Sequence, residues 1–192
     1  MCEHGRPICR LRSNPARGHR YATAVAINND SSPQKARDRA LRLLTHRPRS
    51  ESELRSRLNR DFTPETVDQV LNTLRDQSLV NDAEFARLWT ESRDRQRPRS
   101  ATAIRRELLS HGIAPTLADD AVGAIDDEDS AYRAGAKFAR RLANADHDSF
   151  RRRLWAHLQR RGYGSALTRS TVSKLWDEKQ GDLDSSDSAD ID

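Results

Sequence analysis

Apolar positions in this chain recur at intervals of 50 residues, and that repeat limits the possible folds more than any other feature. Leu54, Ile104 and Leu154 form one set; Leu58, Leu108 and Leu158 form another. Within each copy the two residues are four apart, which places them on one face of one helix. Upstream, Arg47-Pro48-Arg49-Ser50 recurs as Arg97-Pro98-Arg99-Ser100. The Pro and Ser in register carry that match, because Arg is common throughout. Downstream, Ser110-His111-Gly112-Ile113 and Arg160-Arg161-Gly162-Tyr163 each read as a helix stop, a Gly at C′ followed by an apolar residue. The first copy, Arg60-Asp61-Phe62, lacks the Gly and is one residue shorter. Allowing for that gap, Leu71, Val122 and Val172 align, as do Leu74, Ile125 and Leu175.

Caps mark the helix boundaries. Ser50-Glu51-Ser52-Glu53 is a capping box, and Asn81-Asp82-Ala83-Glu84 is an N-cap with Glu at N3. Thr63-Pro64 and Pro115 place proline at N1. These signals predict helices over 35–46, 51–60, 64–77, 82–96, 101–111, 115–125, 127–143, 149–161 and 165–178. The expected fold is all-α, an elongated, curved array of three tandem three-helix repeats over 35–80, 81–125 and 126–178. Only 35% of residues are hydrophobic and 33% are charged, too little apolar material for one thick core. Stacked repeats that share a thin core resolve the shortage. Residues 1–34 lack helical periodicity and read as a flexible basic arm, and 179–192 read as an acidic disordered tail.

The net charge of +5 is unevenly placed. From Asp177 onward, seven acids and Lys179 give −6, so the preceding residues carry +11. A basic body of this kind attracts polyanions or an acidic protein surface. Cys2 and Cys9 form no disulfide framework, the start Met1-Cys2-Glu3-His4 is no signal peptide, and no run reaches transmembrane length. A cytoplasmic protein without a membrane association is expected.

No motif for catalysis emerges. The chain has no Gly-rich phosphate loop, His-Glu-x-x-His, nucleophile elbow or Cys-x-x-Cys. Cys2, His4, Cys9 and His19 fit no familiar zinc spacing and have no apolar shell. Asp126-Asp127-Glu128-Asp129 opens a predicted helix, where acids complement the dipole. Neither a metal nor another cofactor is expected, and the chain is read as a binding protein rather than an enzyme. Trp89, Trp155 and Trp176 lie beside apolar residues and are expected in the core.

The basic clusters recur at one place in each copy. They comprise Arg47, Arg49, Arg55 and Arg57 in the first, Arg93, Arg97 and Arg99 (in a run with Arg95) in the second, and Arg152, Arg160 and Arg161 (with Arg151 and Arg153 beside Arg152) in the third. With Arg105 and Arg106 on the second copy's middle helix, they are the candidate partner-binding and DNA-binding residues, expected to form a continuous basic stripe. Contacts of Arg with phosphate would make any nucleic-acid binding salt-sensitive.

Several pieces in order resemble the RecX regulatory proteins. They are Ala40-Leu41-x-Leu43-Leu44 with Arg47-x-x-Ser50-x-x-Glu53-Leu54-x-x-x-Leu58, then Leu79-Val80-Asn81-Asp82-Ala83-Glu84-Phe85-Ala86. Ile104-Arg105-Arg106-Glu107-Leu108 with His111-Gly112-Ile113 follows, and then Leu158 with Arg161-Gly162-Tyr163. The resemblance spans residues 36–178. It implies a small bacterial protein that binds RecA and the RecA–single-stranded DNA filament along its groove; a monomer with weak non-specific DNA contact is expected separately. It further implies inhibition of ATP hydrolysis and strand exchange, filament disassembly, and a role in recombinational repair and the SOS response. Asn81 stands where the family usually has Asp, and Ser100 where it often has Gly. The alternative reading is a helix-turn-helix DNA-binding protein, with Glu51–Leu79 as the motif and Asp68, Gln69, Asn72, Thr73 and Arg75 facing the bases.

Overall fold

The computed structural model describes residues 31–187. The arm through residue 30, including Cys2, His4, Cys9 and His19, and the last five residues lie outside them. Among the described residues there are nine α-helices and no strand. These are α1 (Pro33–His46), α2 (Glu51–Leu58), α3 (Pro64–Asp76), α4 (Asp82–Gln96), α5 (Ala101–Ser110), α6 (Pro115–Val122), α7 (Asp127–Ala139), α8 (His147–Gln159) and α9 (Ser165–Asp187). A short 3-10 turn, Arg140–Leu142, follows α7. No helix among them is long and apolar enough to cross a membrane.

The helices group in threes, α1–α3, α4–α6 and α7–α9, and each group closes on its own core. Leu54, Leu58, Leu71 and Leu74 fill the first, Ile104, Leu108, Ile113 and Ala118 the second, and Leu154, Leu158, Val172 and Leu175 the third. Each such burial contributes about 1.5–3 kcal/mol. The first helix of each repeat brings small residues to the crossing: Ala36 and Ala40, Ala86 and Thr90, Ala131 and Gly135. At Gly135 a Cβ would stand 2.7 Å from Leu175 Cδ1 and 3.4 Å from Thr171 Cγ2, so α7 and α9 approach closely there.

The stop glycines have a second use. Gly112 has φ +78° and Gly162 φ +91°, as helix C′ residues do. A Cβ on Gly112 would lie 2.3 Å from Ser52 Cβ, and one on Gly162 would lie 2.7 Å from Ala103 Cβ. Each turn therefore sits on the start of the preceding repeat's middle helix. There the Ser50 hydroxyl donates to the His111 carbonyl at 2.6 Å, and the Ser100 hydroxyl donates to the Gly162 carbonyl at 2.8 Å. The next amide of each helix is capped from the following repeat, Glu51 N by Asp82 at 2.8 Å and Ala101 N by Asp127 at 2.7 Å. Two junctions are thus built from the same parts.

The outer ends of the array differ, as terminal repeats do. Repeat 1 lacks the stop glycine, and among the described residues no middle helix lies before it for such a turn to sit on. In repeat 3 the position of Ser50 and Ser100 is Phe150, fully buried. Accordingly α8 begins earlier than the sequence predicts, capped by Asp146, which accepts from Ser149 N at 2.9 Å. At the far end α9 runs to Asp187, beyond residue 179, where the composition predicts an unstructured tail. The turn past Trp176 is tied to the repeat. The Lys179 amine donates to the Ala145 carbonyl at 2.7 Å and lies over the Trp176 ring, and the Tyr132 hydroxyl donates to Glu178 at 3.0 Å.

Candidate functional site

The junction between repeats 2 and 3 opens into a groove lined mostly by cations. The α4–α5 loop supplies Arg97 and Arg99, the end of α7 Lys137 and the 3-10 turn Arg141, and the end of α8 Arg160 and Arg161. Pro98, Phe138 and His157 lie among them. Arg161 is fixed by the junction itself. One of its terminal nitrogens donates to the Pro98 carbonyl at 2.8 Å, and its Nε donates to His157 Nε2 at 2.9 Å. Burial, with Arg99, Arg97 and Arg160 nearby, pushes its guanidinium below the usual arginine range. Arg99 is held by Glu107 at 2.7 Å. Arg97, Lys137, Arg141 and Arg160 have no acidic partner among the described residues.

His157 lies beside Arg161, Arg160 and Arg141 and brings no acid to them. It occupies the position of Glu107 one repeat earlier. Glu107 accepts from Trp89 Nε1 at 3.0 Å, Arg93 at 2.6 Å and Arg99 at 2.7 Å, so it neutralises its surroundings. His157 instead stacks on Phe138, with centroids 4.0 Å apart. Burial pushes its pKa down to about 4, reinforced by Arg161, Arg160 and Arg141. A neutral ring with a free Nε2 lone pair can accept from Arg161, and it adds no negative charge. The groove keeps its positive potential at neutral pH and can hold a phosphate or carboxylate partner by charge-assisted hydrogen bonds.

The remaining candidates are distributed differently. Arg47 makes a two-point pair with Glu53, both contacts 3.0 Å, and Glu53 also lies 3.1 Å from His111 Nδ1. Arg49 donates from Nε to the Leu43 carbonyl at 3.1 Å, and one of its terminal nitrogens is buried without a partner. Arg55 bridges Asp68 and Glu51, Arg105 pairs with Asp119, and Arg93 lies over the Trp89 ring at 4.3 Å besides bonding Glu107. Arg57, Arg106 and Arg152 are exposed. The structure thus gathers Arg97, Arg99, Arg160 and Arg161 in one place, while internal ion pairs interrupt the expected stripe elsewhere.

Lys137 and Arg141 are groove residues that are not among the sequence candidates. Their signal is the i, i+4 spacing of two cations across the end of α7 and the 3-10 turn that follows it. The acids at 126–129 have structural duties. Asp126 caps α7 by accepting from Glu128 N and Asp129 N, Asp127 caps α5, and Asp129 pairs with Arg133. No group of three or more His, Cys, Asp or Glu among the described residues is placed to hold a metal. On α3, Asp68 and Arg75 are engaged with Arg55 and Glu51 on α2.

Residues 36–74 match the family model for the first three-helix domain of RecX, and residues 81–122 match the model for the second. Regulatory protein RecX of Streptomyces coelicolor is 34% identical over 79% of this chain and 82% of its own length. That of Prosthecochloris aestuarii is 33% identical over 77% of this chain and 97% of its own length. The crystal structure of RecX from Lactobacillus salivarius shares the fold, with a TM-score of 0.63 at 19% identity over 74% of this chain and 96% of that one. The matched spans coincide with α1–α3 and α4–α6, the two units whose middle helices carry the paired junction serines. The chain belongs to the RecX family of regulatory proteins.

Proposed function

We propose that the chain is a negative regulator of the RecA recombinase that acts in the cytoplasm as a monomer. It lies in the groove of the RecA–DNA filament, inhibits ATP hydrolysis and strand exchange, and promotes disassembly. Family membership supports the partner. The observation that carries the binding surface is the cationic groove between repeats 2 and 3, where His157 replaces the acid that neutralises the corresponding place in repeat 2. Junctions with the same parts make the three repeats a linear array, a shape suited to following a long partner. Repeat 1 lacks a docking glycine and repeat 3 a docking serine, so the ends do not complement one another and head-to-tail growth is disfavoured.

The test is ATP hydrolysis by the cognate RecA on single-stranded DNA with this protein added below one copy per RecA. Strong inhibition is expected, and R97E/R160E should weaken it by about 10-fold, or ~1.4 kcal/mol of binding. An unchanged rate at equimolar protein would sink the proposal.

A further inference from the structure

The outer groove between the middle and last helices is self-neutralised in the first two repeats. In repeat 1, Arg55 pairs with Glu51 and Asp68, and Arg75 pairs with Glu51. In repeat 2, Arg105 pairs with Asp119. Repeat 3 departs at each of these positions. Trp155 stands where the others have Arg55 and Arg105, and Arg169 where they have Asp68 and Asp119. Arg151 takes the place of Glu51, and Trp176 that of Arg75.

The result is an open groove along α8 and α9, lined by Arg151, Arg152, Trp155, Arg169 and Trp176. Trp176 is fixed against Phe150 and His147, at centroid distances of 5.2 and 4.8 Å. Trp155 is only half-buried and is not among the residues that pack the third core, contrary to the expectation for all three tryptophans. It has no ring or cation partner among the described residues. Asp148 and Asp177 also border the groove, and Asp148 lies 3.7 Å from His147.

We propose that this groove is a binding site for single-stranded nucleic acid, with a base stacked on Trp155 and flanking phosphates on Arg151, Arg152 and Arg169. An available indole face beside arginines is the chemistry of sequence-tolerant strand binding, because every base offers a π-face. A duplex has its bases already stacked and offers only its phosphates. The site adds a direct DNA contact to the RecA reading without depending on it.

The experiment is anisotropy of a labelled oligo(dT) with the full chain and no RecA, repeated across salt concentrations. W155A should bind about 10-fold more weakly with an unchanged salt slope, as loss of one stacking contact requires. W155F should stay within about 3-fold of the parent, since a phenyl ring still stacks. R152A and R169A should each lower the salt slope by about 0.7. W155L, which keeps apolar bulk, replaces W155A should the alanine variant fail to fold, with the same loss expected. Wild-type affinity in the folded W155A or W155L protein would overturn the proposal, as would absence of oligo(dT) binding by the parent chain. Neither result bears on RecA inhibition, which is read separately by ATP hydrolysis.

Discussion

The Ser100 hydroxyl donates to the Gly162 carbonyl at 2.8 Å while its oxygen accepts from Ala103 N at 3.1 Å. One buried side chain thereby caps α5 and fastens repeat 3 to repeat 2. Ser100→Ala removes the cap and leaves the carbonyl unpaired at the junction. Each loss costs about 1 kcal/mol, so a destabilisation of about 2 kcal/mol is expected in urea titration. Ser50→Ala should behave alike at the first junction, where the same oxygen bonds His111 O and Glu53 N. An effect below about 0.5 kcal/mol at both sites would mean that these hydroxyls do not hold the array.

Gly162→Ala and Gly164→Ala separate backbone strain from composition. Gly162 combines φ +91° with a Cβ position 2.7 Å from both Ala103 Cβ and Ser100 Oγ, whereas a Cβ at Gly164 meets nothing within 4 Å. Thermal melts should show Gly162→Ala destabilised by more than about 1 kcal/mol and Gly164→Ala nearly neutral. Equal melting temperatures would contradict the close junction.

The helices and their ends were legible because each signal is local. Leu54 and Leu58 share a face by spacing alone, Ser50 precedes Glu53 by three, and Gly112 and Gly162 stop helices wherever those helices pack. What lay beyond the sequence is pairing between elements. A helix periodicity identifies the face turned to the repeat's own core but not what the next repeat brings to the other side. Nothing local says that Gly162 abuts Ala103, or that Glu107 gathers Trp89, Arg93 and Arg99. The Arg clusters were legible as charge, but their neutralisation by Glu53, Asp68 and Asp119 depends on the register of neighbouring helices. Trp155 lies outside the core for a related reason. Its apolar neighbours Leu154 and Leu158 face the core, while it sits one position round the helix in the outer groove.

The stability of the fold should depend on pH through His157. Its pKa is about 4 in the folded chain and the ordinary value is 6.5, so the unfolded chain takes up a proton first as pH falls. The contribution is fully present above about 6.5 and is lost progressively as pH drops towards about 4. Urea midpoints measured between pH 7 and 5 should therefore decline, and His157→Gln should flatten that decline. Carboxylates titrate lower, so the difference between the two proteins isolates the imidazole. Parallel pH curves for them would show that His157 is not held neutral.

His157→Glu tests the groove without removing any of its cations. The substitution places a carboxylate where Glu107 stands in repeat 2, within reach of Arg161 and near Arg160 and Arg141. Those arginines would then be neutralised internally, as Arg93 and Arg99 are by Glu107. The stack on Phe138 would be lost, but three nearby guanidinium groups give the new carboxylate partners, so the fold should survive. Inhibition of RecA ATP hydrolysis should weaken by about 3- to 10-fold, and its salt dependence should become shallower as fewer free cations meet the partner. His157→Gln, neutral like the parent ring, should inhibit nearly as well. If glutamate and glutamine inhibit equally, the positive potential of this groove is not what engages the filament, and the exposed Arg57 and Arg106 become the next positions to reverse.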